Sequence, residues 1–170
     1  PKKPVSKEQL KTLLEKARGT SVWPAVLLCL QTGLRPVGAT RIRWSDVDFD
    51  TGKISVTEKR KTRHVPVSKW VLTELAQWKI SHPGEFLLDC HKNTLHDTIK
   101  RIRDKNHLAP EVTLQGCRRT FISMCLDKGH AAELVASIAG NSVAVIERHY
   151  KDLRTLNAQH VPETISLEAV

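Results

Sequence analysis

The chain has 170 residues, 40% of them hydrophobic, which is enough for one ordinary domain with a buried core. No apolar run is long enough to cross a bilayer, and the N-terminus has no apolar segment that could be a signal peptide, so a cytoplasmic location is expected. Lysine and arginine number 27 against 18 acidic residues, and the resulting net charge of +9 favours a polyanionic partner, most often nucleic acid.

The cysteines and histidines show no pattern typical of metal ligands. Cys29, Cys90, Cys117 and Cys125 form no C-x-x-C pair, and the eight histidines have no recognised ligand spacing. Cys29 lies in an apolar run that is typical of a core helix. The sequence therefore predicts free thiols, no metal ion and no cofactor.

Helices are predicted for most of the first quarter of the chain. Residues 1–5 contain two prolines and are expected to form a linker, and a helix with a capping serine at its start is expected over 6–17. A strongly apolar helix over 22–31 should end at Gly33, because glycine readily adopts the left-handed conformation that terminates helices. A proline is expected to open a short helix over 36–41.

The clearest strand signal follows a turn in the middle of the chain. Residues 53–57 and 64–67 alternate between apolar and polar side chains, as half-buried strands do. The polar segment 58–63 between them is rich in lysine and arginine. These patterns predict an antiparallel hairpin with a cationic connection.

The second half of the chain is predicted to be helical. Helices are expected over the ranges 71–79, 93–105, 113–128, 131–139 and 143–150. The second of these is basic and amphipathic, and Ser142 is expected to cap the last. Four tryptophans are expected in the core: Trp23, Trp44, Trp70 and Trp78. The predicted fold is mainly α with a small antiparallel β-sheet, in the α+β class.

Four segments of the chain resemble, in order, the signatures of the tyrosine recombinases of the phage-integrase type. They are Thr32–Arg35 with Ile42–Asp48, the hairpin ending in Val65–Val67, Cys117–Phe121, and Ile138–Ser142 with Glu147–Tyr150. Each motif alone is weakly specific, but the four together in this order and spacing are strongly specific. The resemblance runs from about Ser6 to Leu153.

The resemblance implies a domain that cuts and rejoins double-stranded DNA through a 3′-phosphotyrosine, without a metal or other cofactor. The catalytic residues that it implies are Arg35, Lys59, Gln115, Arg118, Asn141 and Tyr150. It also implies that residues 1–170 form one catalytic domain with a tail over 154–170 and without the family's usual N-terminal DNA-clamping domain. A monomer is expected in the free state and a homotetramer on DNA.

The residue types suit that chemistry. Cleavage of a phosphodiester builds negative charge on the non-bridging oxygens, and the guanidinium groups of Arg35 and Arg118 can bind those oxygens while remaining charged. Tyr150 is the only tyrosine in the chain, so the nucleophile has no competitor. A lysine near the leaving 5′ oxygen can act as general acid; Lys59 is preferred, and Lys61 remains an alternative.

The chain departs from the family's pattern at three positions. Gln115 and Asn141 stand where the family has histidines, and Gly38 stands where it has an acidic residue. The two amides can donate hydrogen bonds but cannot exchange protons near neutral pH, so we expect a slower enzyme. A DNA-binding module that has lost catalysis and a type IB topoisomerase remain alternatives.

Further cations are expected to contact DNA phosphates. These are Arg60, Lys61 and Arg63 on an exposed turn, Lys100 and Arg101 on the basic helix, and Arg119. His149 is expected to be a surface residue on a different helix face from Tyr150, because adjacent positions of a helix point about 100° apart.

Overall fold

Helices make up most of residues 5–149, the part of the chain that the structure, a computed structural model, describes. They are α1 (Lys7–Ala17), α2 (Trp23–Thr32), α3 (Pro36–Ala39), α4 (Lys69–Ser81), α5 (Lys92–Lys105), α6 (Leu114–Asp127) and α7 (Ala132–Ala139), followed by a helical segment over 143–149. Strands β1 (Val47–Asp48), β2 (Lys53–Glu58) and β3 (Lys61–Pro66) form an antiparallel sheet in the order β1-β2-β3. The predicted fold class is confirmed.

Helix α2 lies at the centre of the core. Its sequence is apolar around its whole circumference, as expected of a helix that is covered on every side. It packs against α1, α3, α4 and α6, and α1 contributes the fully buried Leu10 and Leu13 to its cover. The helix ends at Gly33, whose φ of 65° is left-handed as predicted. This ending places Arg35 at the start of α3, beside the core.

Capping side chains set where several helices begin. Ser6 accepts a hydrogen bond from the Gln9 amide, Ser68 from the Val71 amide, and Thr113 from the Gly116 amide at 3.0 Å. Each such cap stabilises its helix by about 1 kcal/mol. The cap at Ser68 lets α4 begin earlier than predicted, and α3 ends at Ala39, before the predicted Arg41.

The hairpin differs from the prediction in the length of its connection. The β2–β3 ladder continues to the pair Glu58–Lys61, so the connection is only Lys59 and Arg60, with φ of 48° and 64°. Positive φ at both central residues is the geometry of a tight hairpin turn that follows the twist of the strands. The segment 58–63 has the composition of a loop because its polar side chains mostly face solvent, yet only Lys59 and Arg60 lie outside the ladder.

The tryptophan and cysteine predictions are confirmed in part. Trp23 and Trp44 are buried, whereas Trp70 and Trp78 pack on the edge of the core and are only partly buried. All four cysteines are free. Burial raises the pKa of the Cys117 thiol to about 12, so this thiol is unreactive near neutral pH. Over residues 5–149 no helix is long and apolar enough to span a membrane, and no cluster of metal-binding side chains occurs.

Candidate active site

Arg35 joins three distant parts of the chain. From the first position before α3, its Nη1 donates to Oε2 of Glu58 at 2.9 Å and its Nη2 donates to Oδ1 of Asn141 at 3.0 Å. Glu58 ends β2, and Asn141 follows the glycine that closes α7. The start of α3, the hairpin and the end of α7 therefore meet at one guanidinium group.

Arg118 enters the same region from α6 and is almost fully buried, with 6% of its surface exposed. Its Nη1 donates to the carbonyl oxygens of Gly33 at 2.5 Å and Ala139 at 2.7 Å, which lie at the C-terminal ends of α2 and α7. Burial, with repulsion from Arg35, lowers the pKa of Arg118 to about 10. The side chain therefore remains charged near neutral pH, stabilised by the negative ends of two helices.

Glu58 links Arg35 to a further arginine on the hairpin. Its Oε2 also accepts from Nη1 of Arg63 at 2.7 Å, and Nε of Arg63 donates to the carbonyl oxygen of Ile138 at 3.2 Å. Burial by itself raises the pKa of Glu58, but the hydrogen bonds and charges of Arg63 and Arg35 outweigh it and the pKa is lowered. Glu58 is therefore a carboxylate at neutral pH.

We call Arg35, Arg63, Arg118, Glu58 and Asn141 the arginine cluster. Three guanidinium groups and one carboxylate leave two positive charges uncompensated within it. Nη2 of Arg63 is buried and has no hydrogen-bond partner among the described residues. A half-buried group of donors with excess positive charge is suited to binding an oxyanion.

The orientation of Asn141 follows from its neighbour. A guanidinium group only donates hydrogen bonds, so the atom that Arg35 contacts must be the amide oxygen. The NH2 group of Asn141 is then directed away from Arg35 and can donate to an anion beside it. The donor role predicted for Asn141 requires this orientation of its amide group.

Gln115 lies beside the cluster rather than within it. It is exposed and lines a cavity of about 740 Å³ between α3, α5 and α6. The predicted DNA contacts Lys100 and Arg119 line the same cavity, together with Lys92 and Arg103, so its walls are basic. Arg101 is exposed on α5.

The two candidate general acids are both exposed at the hairpin. Lys59 is the first residue of the tight turn and Lys61 the first residue of β3. Neither lysine side chain has a hydrogen bond or ion pair with the arginine cluster in the described structure. Arg63, predicted on the same exposed turn, instead lies in β3 with only 19% of its side chain exposed, because the ladder extends to Lys61. That placement of Arg63 is a correction to the prediction.

Tyr150 lies outside the described residues, but the helical segment that leads to it is fixed on the protein. Ser142 caps this segment by accepting from the Val145 amide at 3.3 Å, as predicted, and Ile146 is fully buried. Nε2 of His149 lies 3.3 Å from Oγ of Ser123 on α6. His149 is therefore half-buried against α6 and not the surface residue predicted, because Ser123 offers it a polar partner.

Comparison with known proteins identifies the family of this chain. The sequence profile of the phage integrase family matches residues 3–156. The chain belongs to the phage integrase family. It is 29% identical over 163 residues to the prophage integrase IntF of Escherichia coli K12, covering 86% of this chain and 34% of that protein. It is 26% identical over 136 residues to the tyrosine recombinase XerC of Xylella fastidiosa strain 9a5c, covering 74% and 46%.

Solved structures of integrases and recombinases share the fold. XerA recombinase superposes with a TM-score of 0.78 at 22% identity, over 95% of this chain and 66% of that one. A lambda integrase dimer bound to a COC′ core site gives a TM-score of 0.73 at 16% identity, over 96% and 51%. The present chain spans about a third to a half of the length of the two curated relatives described above.

Sequence reasoning missed two members of the cluster in this phage integrase domain. The sequence pattern places Glu58 in a cationic connection and Arg63 among the DNA contacts, whereas the two side chains form an ion pair. One signal was available, since an acidic residue in a run of cations on a strand often has a specific ion-pair partner. The partner's identity depends on the register of β2 against β3, which the sequence pattern did not give.

Proposed function

We propose that this domain cuts and rejoins double-stranded DNA through Tyr150, as a site-specific recombinase or integrase. The observation that supports it best is the convergence of Arg35 and Asn141 at one half-buried, positively charged site, although they are 106 positions apart in the chain. Such a site can neutralise the charge that develops on a phosphate during displacement. No cofactor is needed, because the phosphotyrosine bond conserves the energy of the broken phosphodiester bond for rejoining.

The proposed reaction assigns one role to each predicted residue. Arg35 and Arg118 stabilise the non-bridging oxygens, and Asn141 donates from its NH2 group. The hydroxyl group of Tyr150 releases its proton to water, and its oxygen forms a bond to phosphorus while the bond from phosphorus to the 5′ oxygen breaks. Lys59 protonates that leaving oxygen, and the 5′ hydroxyl of a partner strand later reverses the reaction.

The basic cavity and the hairpin supply the proposed DNA surface. Lys100 and Arg119 in the cavity, Arg101 on α5, and Arg60 and Lys61 on the hairpin contact phosphates. We further propose action in the cytoplasm, and a monomer that assembles into a tetramer on DNA. Gln115 serves as a neutral donor at the mouth of the cavity.

A DNA-binding module without catalysis is the second candidate. It is favoured by the exposure of both candidate lysines and by the position of Gln115 outside the arginine cluster. Such a module binds duplexes with strong salt dependence and never forms a covalent adduct. Adduct formation therefore separates the two candidates.

The test is covalent trapping on a pool of nicked duplexes, which lose a short 5′-hydroxyl fragment after cleavage. A denaturant-resistant protein–DNA band is expected with the wild-type chain and not with Tyr150→Phe. A band that persists in Tyr150→Phe, or no band with either protein, would contradict the proposal.

The general acid can be tested on the same substrate. A 5′-bridging sulfur leaves without protonation, so it should restore cleavage to the variant that lacks the acid. Rescue of Lys59→Ala but not of Lys61→Ala is expected. The opposite pattern would assign the role to Lys61.

A further inference from the structure

The carboxylate of Glu58 lies next to the backbone of Gly38, close to the place that a side chain at position 38 would occupy. A Cβ atom built on Gly38 would lie 2.8 Å from Oε1 of Glu58 and 3.6 Å from its Cδ. Gly38 lies in α3 with an ordinary negative φ, so its backbone does not require glycine. Glycine at such a helical position is less favourable than alanine, because it loses more backbone freedom on folding. A Cβ atom would also lie 3.3 Å from Cδ1 of Leu34, but its shortest contact is with the carboxylate, so glycine leaves room for Glu58.

The two oxygens of this carboxylate have different surroundings. Oε2 accepts hydrogen bonds from both Arg35 and Arg63, and Oε1 faces Gly38. The side chain is only 14% exposed. One half-buried carboxylate therefore determines where two guanidinium groups lie, and Gly38 determines how closely the carboxylate approaches α3.

We infer that Glu58 is the positioning residue of the arginine cluster, seated against Gly38, and that it aligns Arg35 for the phosphate. The inference rests on the proposed function for its catalytic consequence. Glu58 touches no reacting atom, and acts through Arg35 and Arg63. Its negative charge opposes phosphate binding, while its hydrogen bonds fix the geometry that cleavage requires.

These two effects have opposite signs, and this distinguishes positioning from simple structural support. Removing the charge should strengthen DNA binding, because one repulsive charge beside the phosphate is lost. It should slow cleavage, because misplaced catalytic groups lose rate steeply. A residue that only supports the fold would weaken binding and cleavage together.

The first test uses Glu58→Gln, with Glu85→Gln as the matched control. Glu85 is an exposed carboxylate that also pairs with an arginine, Arg43, at 2.6 Å. We expect Glu58→Gln to lower the rate of adduct formation by about tenfold to a hundredfold. We expect its affinity for a labelled duplex to rise about threefold, while the control changes neither quantity.

The second test exchanges the two positions. Gly38→Asp alone should lower the rate, because its side chain collides with Glu58 and repels it, and Glu58→Ala alone should lower it by removing the carboxylate. The double variant Gly38→Asp/Glu58→Ala should regain about tenfold over Glu58→Ala, because the introduced carboxylate enters the vacated space. Gly84→Asp is the control, since nothing lies within 4 Å of a Cβ at Gly84.

The outcomes separate this inference from the proposed function. If the wild-type chain forms no Tyr150-dependent adduct, the proposed function fails, and the affinity of Glu58→Gln still tests the inference. Weaker or unchanged DNA binding by Glu58→Gln, or a double variant no faster than Glu58→Ala, would overturn the inference. If Glu58→Gln does not fold, Gly38→Ala applies the same test, because its methyl group displaces the carboxylate; a wild-type rate would then overturn the inference.

Discussion

The arginine cluster and the tip of the hairpin are both rich in cations, but they differ in burial and in the partners of their side chains. In the cluster, each guanidinium group bonds to residues far away in the chain, such as Arg35 to Asn141. At the tip, Lys59 and Arg60 are exposed, and their backbone adopts positive φ. Buried cations are thus fixed by the fold, whereas exposed cations depend on a partner outside it. Substitutions should affect stability in the first region and salt-dependent binding in the second.

The largest effect is expected where the cluster is most buried. Arg118→Ala leaves the carbonyl oxygens of Gly33 and Ala139 without their donor, and should lower the free energy of unfolding by about 2 to 4 kcal/mol. Chemical denaturation measures this loss. Arg101→Ala, at an exposed position of α5, should change stability by less than about 0.5 kcal/mol. Equal losses in the two variants would remove the contrast between buried and exposed cations.

Gly140 tests how tightly the cluster is packed. Its φ is 72°, and a Cβ would lie 2.6 Å from Cζ of Arg63. Gly140→Ala should therefore lower the melting temperature more than Gly129→Ala, where φ is 84° but nothing lies within 4 Å. The control has only the backbone strain, of about 1 kcal/mol. If the two variants melt alike, the contact with Arg63 is not a constraint.

Ser123 connects the cluster's helix to the segment before Tyr150. Ser123→Ala removes the contact with His149 and the hydrogen bond to the Arg119 carbonyl oxygen, and should cost about 1 kcal/mol of stability. We also expect adduct formation to slow severalfold, because the approach of Tyr150 is less restricted. Ser137→Ala is the control for the rate, because it also removes a serine hydrogen bond to a helix carbonyl oxygen, that of Leu134, but at an exposed position. Unchanged adduct formation in Ser123→Ala would show that this contact does not guide the tyrosine.

At the hairpin tip the effect on stability should be small and of the opposite sign. Arg60→Gly relieves a positive φ of 64° and should raise the free energy of unfolding by about 1 kcal/mol. Duplex affinity should fall, and the slope of log affinity against log salt should decrease by about one if Arg60 contacts a phosphate. A loss of stability would show that the turn is not strained.

The sequence predicted the features that depend on short-range patterns, namely the positions and ends of most helices. Helical periodicity placed α1, α2, α5, α6 and α7 to within a few residues, and the stop at Gly33 followed from the conformational preference of glycine. The pairing of Arg35 with Asn141 was foreseen only as two members of one predicted site. Its geometry depends on how α3 and α7 pack, which no local pattern encodes.

The hairpin shows why the remainder was missed. A polar segment on an exposed strand has the same composition as a loop, so the pairing of Val56 with Arg63 could not be distinguished from a connection. Without that register, Glu58 had no identifiable partner. The close approach of Glu58 to Gly38 could not be predicted either, because it requires the position of Glu58. Both missed contacts of Glu58 therefore follow from the missed register of the hairpin.

The two carbonyl oxygens that Arg118 binds have a consequence for the order of biosynthesis. A ribosome that has completed α6 has already made all three arginines of the cluster, but has not yet made Ala139 or Asn141. Until α7 emerges, Arg118 lacks one of its two acceptors and Arg35 lacks its amide partner. A chain truncated before residue 139 therefore carries the cationic side chains without all of the contacts that hold them in the arginine cluster. Assembly of the site is thus coupled to near-completion of the domain.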